Sequence, residues 1–166
     1  MVSCFIVAIF VDFSHRIIPD EITIGGMIAG LVFSFIFPSL HHVYEPSQSW
    51  ILVHLKSLGI SLIGLLVGAG VIYAMGMLGD FMLKKETMGG GDVKLMGMIG
   101  GFLGWKAALL TFFIAPFFGA VFGIVEKIRT KDSAIAYGPF LVLGAVISML
   151  YGDRIIHWIL SGYGLY

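Results

Sequence analysis

Asp12 and Asp92 are the residues whose types and surroundings best suit chemistry. Asp12 closes an apolar run, in Val11-Asp12-Phe13-Ser14-His15-Arg16-Ile17-Ile18-Pro19-Asp20. Asp92 follows three glycines and opens another, in Gly89-Gly90-Gly91-Asp92-Val93-Lys94-Leu95. A carboxylate at the edge of hydrocarbon is costly unless it is paired, protonated or facing water. Two of them brought together cannot both ionise easily, so they share a proton and titrate as a pair. The ionised member can then activate a water while the protonated one donates to a carbonyl or a leaving amine. That chemistry needs no metal and no nucleophilic side chain, so neither a metal site nor a cofactor is expected. Gly89 and Gly91 carry no side chain, which lets the backbone approach a substrate strand or a facing helix closely and adopt positive φ. Each acid also has a structural reading: Asp92 as a helix cap after a glycine linker, Asp12 as a solvated charge beside the membrane. Spacing alone leaves both readings open.

The elements that must position these residues are membrane helices. Of 166 residues, 58% are hydrophobic and 12% charged, with a mean hydropathy of +1.00. A soluble domain carries roughly 25% charged residues, so this chain has too little polar surface to stand in water. It reads as one all-α transmembrane domain over residues 1–166, a polytopic bundle with about six membrane segments. The segments run about Met1–Val11, Ile22–Phe37, Trp50–Leu78, Val93–Leu103, Ala107–Val125 and Ala134–Tyr151, with Arg154–Leu160 as an apolar interfacial tail. Twenty-three glycines allow close packing through small-residue faces.

Charge sets the orientation. Seven of the ten Lys/Arg residues fall in Asp12–Glu21, Asp80–Lys94 and Glu126–Asp132, which are alternate connections. By the positive-inside rule these face the cytoplasm, and both acids with them. Lys and Arg balance Asp and Glu at ten each, so no basic field points to nucleic acid. The single cysteine, Cys4, excludes an intrachain disulfide framework and a four-cysteine zinc site. No cleavable signal peptide is read at the start, which lacks a basic region and a small-residue cleavage site.

The remaining polar residues have simpler readings. Asp20, after Pro19, reads as the cap of the second helix, and Asp80 as a solvated loop charge. His41 and His42 lack an HExxH pattern and read as loop residues. Pro116 reads as a helix kink, and the basic run at Lys127–Lys131 as an orientation signal with anionic lipid as a second role. Lys94 is placed to meet substrate or lipid, and His15 and Arg16 to tune the acids or stay solvated.

The paired motifs resemble the type IV prepilin peptidases, membrane aspartyl proteases with a GxGD motif, to which archaeal preflagellin peptidases are related. The resemblance rests on Asp12…Ile18-Pro19-Asp20 and Met88-Gly89-Gly90-Gly91-Asp92-Val93-Lys94-Leu95, and extends to Gly100-Gly101-Phe102-Leu103-Gly104-Trp105 and Ala136-Tyr137-Gly138-Pro139-Phe140-Leu141. It implies cleavage of the short basic leader of type IV prepilins or pseudopilins, after a glycine and before the hydrophobic segment, at the cytoplasmic face of the cell membrane. It implies Asp12 and Asp92 as the catalytic pair, with Gly89 and Gly91 as the motif glycines beside the substrate. The expected partners are the prepilin or pseudopilin substrate and membrane lipid, with room for a homo-oligomer and no nucleic acid.

Many bacterial members also methylate the new N-terminus, using an amino-terminal region with two CxxC pairs. That methyltransferase and zinc region has no counterpart in residues 1–166, so the expectation is a peptidase-only member or the core of a longer protein. Two other classes remain: a small ion- or proton-coupled carrier, or a non-catalytic subunit of a secretion machine. A carrier is expected to hold its ionisable groups near mid-membrane and to show internal repeats. Serine and metal proteases are disfavoured, because GxSxG and HExxH are both absent.

Overall fold

In a bilayer the tails outside a helix bundle are as apolar as leucine, so packing rests on close contact of small residues and on buried hydrogen bonds. The computed structural model follows that rule. It describes residues 1–15, 18–41, 43, 49–84, 88–130 and 137–162, with only the backbone for Phe13, His15, Leu83 and 123–130. Arg16, His42, Lys131 and Ala136, all named above, lie outside the described residues, as do Lys85 of the basic segment 80–94 and the side chains of His15, Lys127 and Arg129.

Every regular element among the described residues is helical. Helix α1 is Val2–His15, α2 is Asp20–Ile36, α3 is Trp50–Leu83, α4 is Gly90–Thr130 and α5 is Gly138–Gly162, with a single 3-10 turn at Pro38–His41 between α2 and α3. Among the described residues, three helical stretches are long and apolar enough to cross a membrane: Trp50–Met82, Gly90–Phe122 and Gly138–Gly162. Val2–Asp12 is a shorter apolar helix. Large apolar side chains coat the outside, among them Phe81, Phe117 and Trp158, at 85%, 76% and 76% exposure.

Helix α4 is two arms rather than one rod. Gly104, at φ 79° and ψ 171°, is its one residue with non-helical backbone, in a region that only glycine enters readily. The chain reverses there. Gly68 of α3 lies against both the Met96 carbonyl and the Ala108 methyl group, which a straight helix would hold about 18 Å apart. Beyond Gly104 the second arm, 105–130, runs antiparallel to α5: Leu110 meets Gly152, Thr111 meets Gly144 and Ser148, and Gly119 meets Phe140. The expected segment boundary between Leu103 and Ala107 therefore falls at a real turn, and the backbone break is at this glycine and not at Pro116.

The first arm, 90–103, is the centre of the bundle. Residues 95–102 are buried without interruption, the pattern of a helix enclosed on all sides. Its neighbours approach through glycines. A methyl group on Gly64 would strike the Gly100 carbonyl, one on Gly100 would strike the Gly64 carbonyl, and one on Gly26 would strike the Met98 sulfur. Hydroxyls bind the helices where side chains are small. Ser34 and Ser57 donate reciprocally to each other's carbonyls, both at 2.8 Å, Ser61 donates to the Gly101 carbonyl at 2.5 Å, and Thr111 donates to Ser148 at 3.1 Å.

Two expectations change. Asp80 is an exposed residue inside α3, not a loop charge, because the helix continues to Leu83 and closes when the Lys84 amide donates to the Asp80 carbonyl at 2.8 Å. The tail Arg154–Leu160 is the continuation of α5 rather than a separate segment, since no proline interrupts the run and Gly152 is packed inside the helix against Leu110.

The Gly64–Gly100 crossing has no room for a methyl group, and the atoms it meets are backbone. Gly100→Ala is expected to cost about 1–3 kcal/mol of stability, read as an earlier unfolding midpoint in detergent. Gly70→Ala, with nothing within 4 Å of the added methyl, is expected to leave that midpoint unchanged or slightly raised.

Candidate active site

The starts of α2, α4 and α5 and the end of α1 converge at one end of the bundle. Asp12 lies in the last turn of α1 and is buried, at 5% exposure. Its Oδ2 accepts the backbone N–H of Gly138 at 3.1 Å. Gly138 is the first residue of α5, where amides have no partner within the helix and the dipole favours an anion. The approach is close: a Cβ on Gly138 would lie 2.5 Å from Asp12 Oδ2 and 3.2 Å from Ile18 Cδ1. Only glycine leaves room for the carboxylate here.

Asp92 is held by the start of its own helix. Its N–H donates to the Gly89 carbonyl at 3.1 Å, and the Gly89 amide donates in return to its carboxylate. This reciprocal arrangement resembles a capping box. A carboxylate offers about four acceptor positions, so the capping role leaves Asp92 free to act in a second direction.

Between the two acids sits Ile18, buried at 6% exposure. A Cβ on Gly91 would lie 3.0 Å from Ile18 Cβ, so the missing side chain at Gly91 is what lets the α1–α2 connection press on the start of α4. Gly90 has nothing within 4 Å of an added Cβ, and the nearest such atom to Gly89 is Asp92 Oδ2, at 3.7 Å. Gly91 thus serves packing, while Gly89 and Gly90 form the open rim.

Asp12 and Asp92 line one cavity of about 310 Å³, together with Asp20, Lys94 and the Gly89–Gly91 backbone. Asp20 is not the cap of α2, as its position had suggested: Pro19 occupies the cap and makes no side-chain cap bond. The Asp20 carboxylate instead takes a hydrogen-bonded ion pair from Lys94, Nζ to Oδ1 at 2.6 Å. Tyr137, next to Gly138, is a further polar group near Asp92. Burial pushes its phenol up to about 12, with the negative charge of Asp92 adding to the effect, so it stays a neutral hydrogen-bond donor at neutral pH. Among the described residues, no group of three or more His, Cys, Asp or Glu is placed to hold a metal ion.

Two carboxylates 80 positions apart in the chain thus face one small water-accessible space, one fixed by a helix-start amide and the other at a glycine rim. A profile of the type IV leader peptidase family matches residues 1–124.

The chain belongs to the type IV leader peptidase family.

It is similar to a prepilin leader peptidase/N-methyltransferase of Legionella pneumophila, 31% identical over 157 residues, covering 90% of this chain and 48% of that protein. One from Aeromonas salmonicida (strain A449) is 29% identical over 155 residues, covering 92% of this chain and 48% of the relative. One from Escherichia coli (strain K12) is 28% identical over 151 residues, covering 89% and 60%. The chain spans about half the length of most of the relatives it matches. No solved structure matches it.

Sequence reading missed the role of Gly138. Its neighbourhood, Ala136-Tyr137-Gly138-Pro139, stood out only as family-like sequence, and nothing local ties it to an aspartate 126 residues earlier. Gly138→Ala is expected to lower stability by about 1–3 kcal/mol, because the new methyl falls on the Asp12 carboxylate. Asp12→Asn keeps an acceptor oxygen for the Gly138 amide and is expected to unfold close to wild type. Thermal unfolding of the two variants in detergent checks both.

Proposed function

We propose that this chain is an aspartyl endopeptidase that removes the leader of type IV prepilins or pseudopilins at the cytoplasmic face of the cell membrane. The cut falls after a glycine and before the substrate's hydrophobic segment. The observation that carries the reading is the shared cavity of Asp12 and Asp92 in a member of this family.

In the mechanism, the pair holds one proton between two carboxyl groups. The ionised member takes a proton from a water in the cavity, and the water oxygen attacks the peptide carbonyl carbon. The protonated member gives its proton to the carbonyl oxygen, forming a tetrahedral diol. Collapse of the diol breaks the C–N bond: the proton taken from water passes to the leaving amine, and one diol hydroxyl returns its proton to the other carboxylate, which restores the shared proton. The products are the leader's carboxyl group and the pilin's new amino terminus. The Gly89–Gly90 rim suits this chemistry, since a peptide must lie extended against the acids and a rim without side chains admits it.

The proposal takes α1, α2, α3, the two arms of α4 and α5 as six membrane passes. On that count the Asp12, Asp20, Asp92 and Gly138 ends lie on one side, and the Pro38–His41 turn and Gly104 on the other. A Cβ on Gly104 would lie 3.4 Å from His41 Nδ1. The basic connections belong to the aspartate side, which the positive-inside rule assigns to the cytoplasm, where an uncut leader resides. A carrier would place its acids at mid-bundle, and these stand at helix ends.

The test is cleavage of a leader-bearing pilin by detergent-purified protein beside Asp12→Asn and Asp92→Asn. Wild type is expected to cut at the Gly–hydrophobic junction, and each variant to lose roughly 10²–10⁴-fold in rate at unchanged helical content. Activity retained by either variant would remove that residue from the pair.

A further inference from the structure

We propose that the Asp20–Lys94 ion pair is a positioning clasp that holds the two aspartate-bearing segments together and keeps a third negative charge off the pair. The inference rests on the aspartyl peptidase reading and goes beyond it to residues outside the dyad. Lys94 lies two residues after Asp92, in the opening turns of α4. Asp20 lies two residues after Ile18, the residue wedged against Gly91 and Gly138. The 2.6 Å contact therefore joins the connection leaving Asp12 to the helix carrying Asp92, across 74 residues of chain. Both side chains are partly exposed, at 38% and 56%, and ion pairs in that setting add little to stability. Their consequence falls on the cavity they line.

Among the described residues the charges there are few. Asp12 comes from α1, Asp20 from α2, and Asp92 and Lys94 from α4. The neutral phenol of Tyr137 stands at the start of α5, and α3 contributes no titratable side chain to the described lining. With the pair intact, the ammonium of Lys94 and the carboxylate of Asp20 cancel at short range. Losing Lys94 leaves Asp20 as an uncompensated negative charge, which holds protons on Asp12 and Asp92 to higher pH. Losing Asp20 leaves a free ammonium, which releases those protons at lower pH.

The experiment measures pH–rate profiles for leader cleavage by wild type, Lys94→Met, Asp20→Asn and the double variant. Alongside, infrared carboxyl titration of the same purified proteins is run without substrate. The profile is expected to move up by about 0.5–1 pH unit in Lys94→Met and down by a similar amount in Asp20→Asn, the effect of one charge at several Å in a partly hydrated cavity. The double variant is expected to return near the wild-type position with kcat still several-fold low and KM little changed, because charge balance is restored but the clasp is not. Shifts in the same direction, no shift, or a double variant that stays displaced would overturn the proposal. So would a loss of rate without movement of the profile, the signature of a merely structural contact. If wild type cleaves no leader, the peptidase reading fails, and the carboxyl titration still decides the clasp.

Discussion

Enclosure of the first arm of α4 governs everything else in this structure. Residues 95–102 have no lipid-facing side, so the arm needs neighbours all round, and lipid supplies no hydrophobic force to gather them. The gathering is done by contact at short range. Gly64 and Gly68 of α3 and Gly100 of the arm itself bring backbones to distances that a side chain would prevent, while Gly26 of α2 and Gly97 of the arm leave room for the Met98 and Met27 side chains. Dispersion attraction is weak per atom pair and falls steeply with separation, so small residues at the crossings are worth more here than large ones. The serine and threonine hydroxyls add direction to that contact, since each buried donor finds a carbonyl or hydroxyl on another helix or on its own preceding turn.

The same enclosure fixes the site. The arm begins at Gly90, and the residues that open it, Gly91 and Asp92, stand at the end of the bundle where the core meets water. A helix start is the one place in such a bundle where backbone amides lack partners. Two such starts are used, one at Asp92 and one at Gly138. Asp92 satisfies the Gly89 amide of its own helix, whereas Asp12 satisfies that of a helix from the other end of the chain. Asp12 can be buried because that amide and the α5 dipole stand in for water, and the cavity beside it keeps one side of the carboxylate pair accessible.

Glycine does two different jobs within a few residues. At Gly91 and Gly138 its lack of a side chain is filled by a neighbour, Ile18 in one case and the Asp12 carboxylate with Ile18 in the other. At Gly90 it is filled by nothing, and the backbone there stays open. Ile18 joins Gly91 and Gly138: one apolar side chain, just before the Pro19 turn that starts α2, packs against both glycines.

Membership of the helical class, the chain's apolar runs and the two acids were legible in the sequence, because each is a local signal. A carboxylate at the edge of an apolar run stands out wherever it occurs, and a glycine triplet before another makes it stand out further. The break between Leu103 and Ala107 was legible for the same reason, as a glycine and polar interruption in hydropathy. Its consequence was not, since only Gly68 touching both Met96 and Ala108 reveals a reversal. Nor were the Gly138 amide on Asp12, the pairing of Asp20 with Lys94 in place of a cap, or the division of labour among the three glycines. Those depend on which helix faces which, over separations of 74 and 126 residues. Hydropathy says only that a helix has an apolar surface, and in lipid every apolar surface is equally content. The choice among neighbours is made by the fit of small residues and by single hydrogen bonds, and those exist only once the helices are packed.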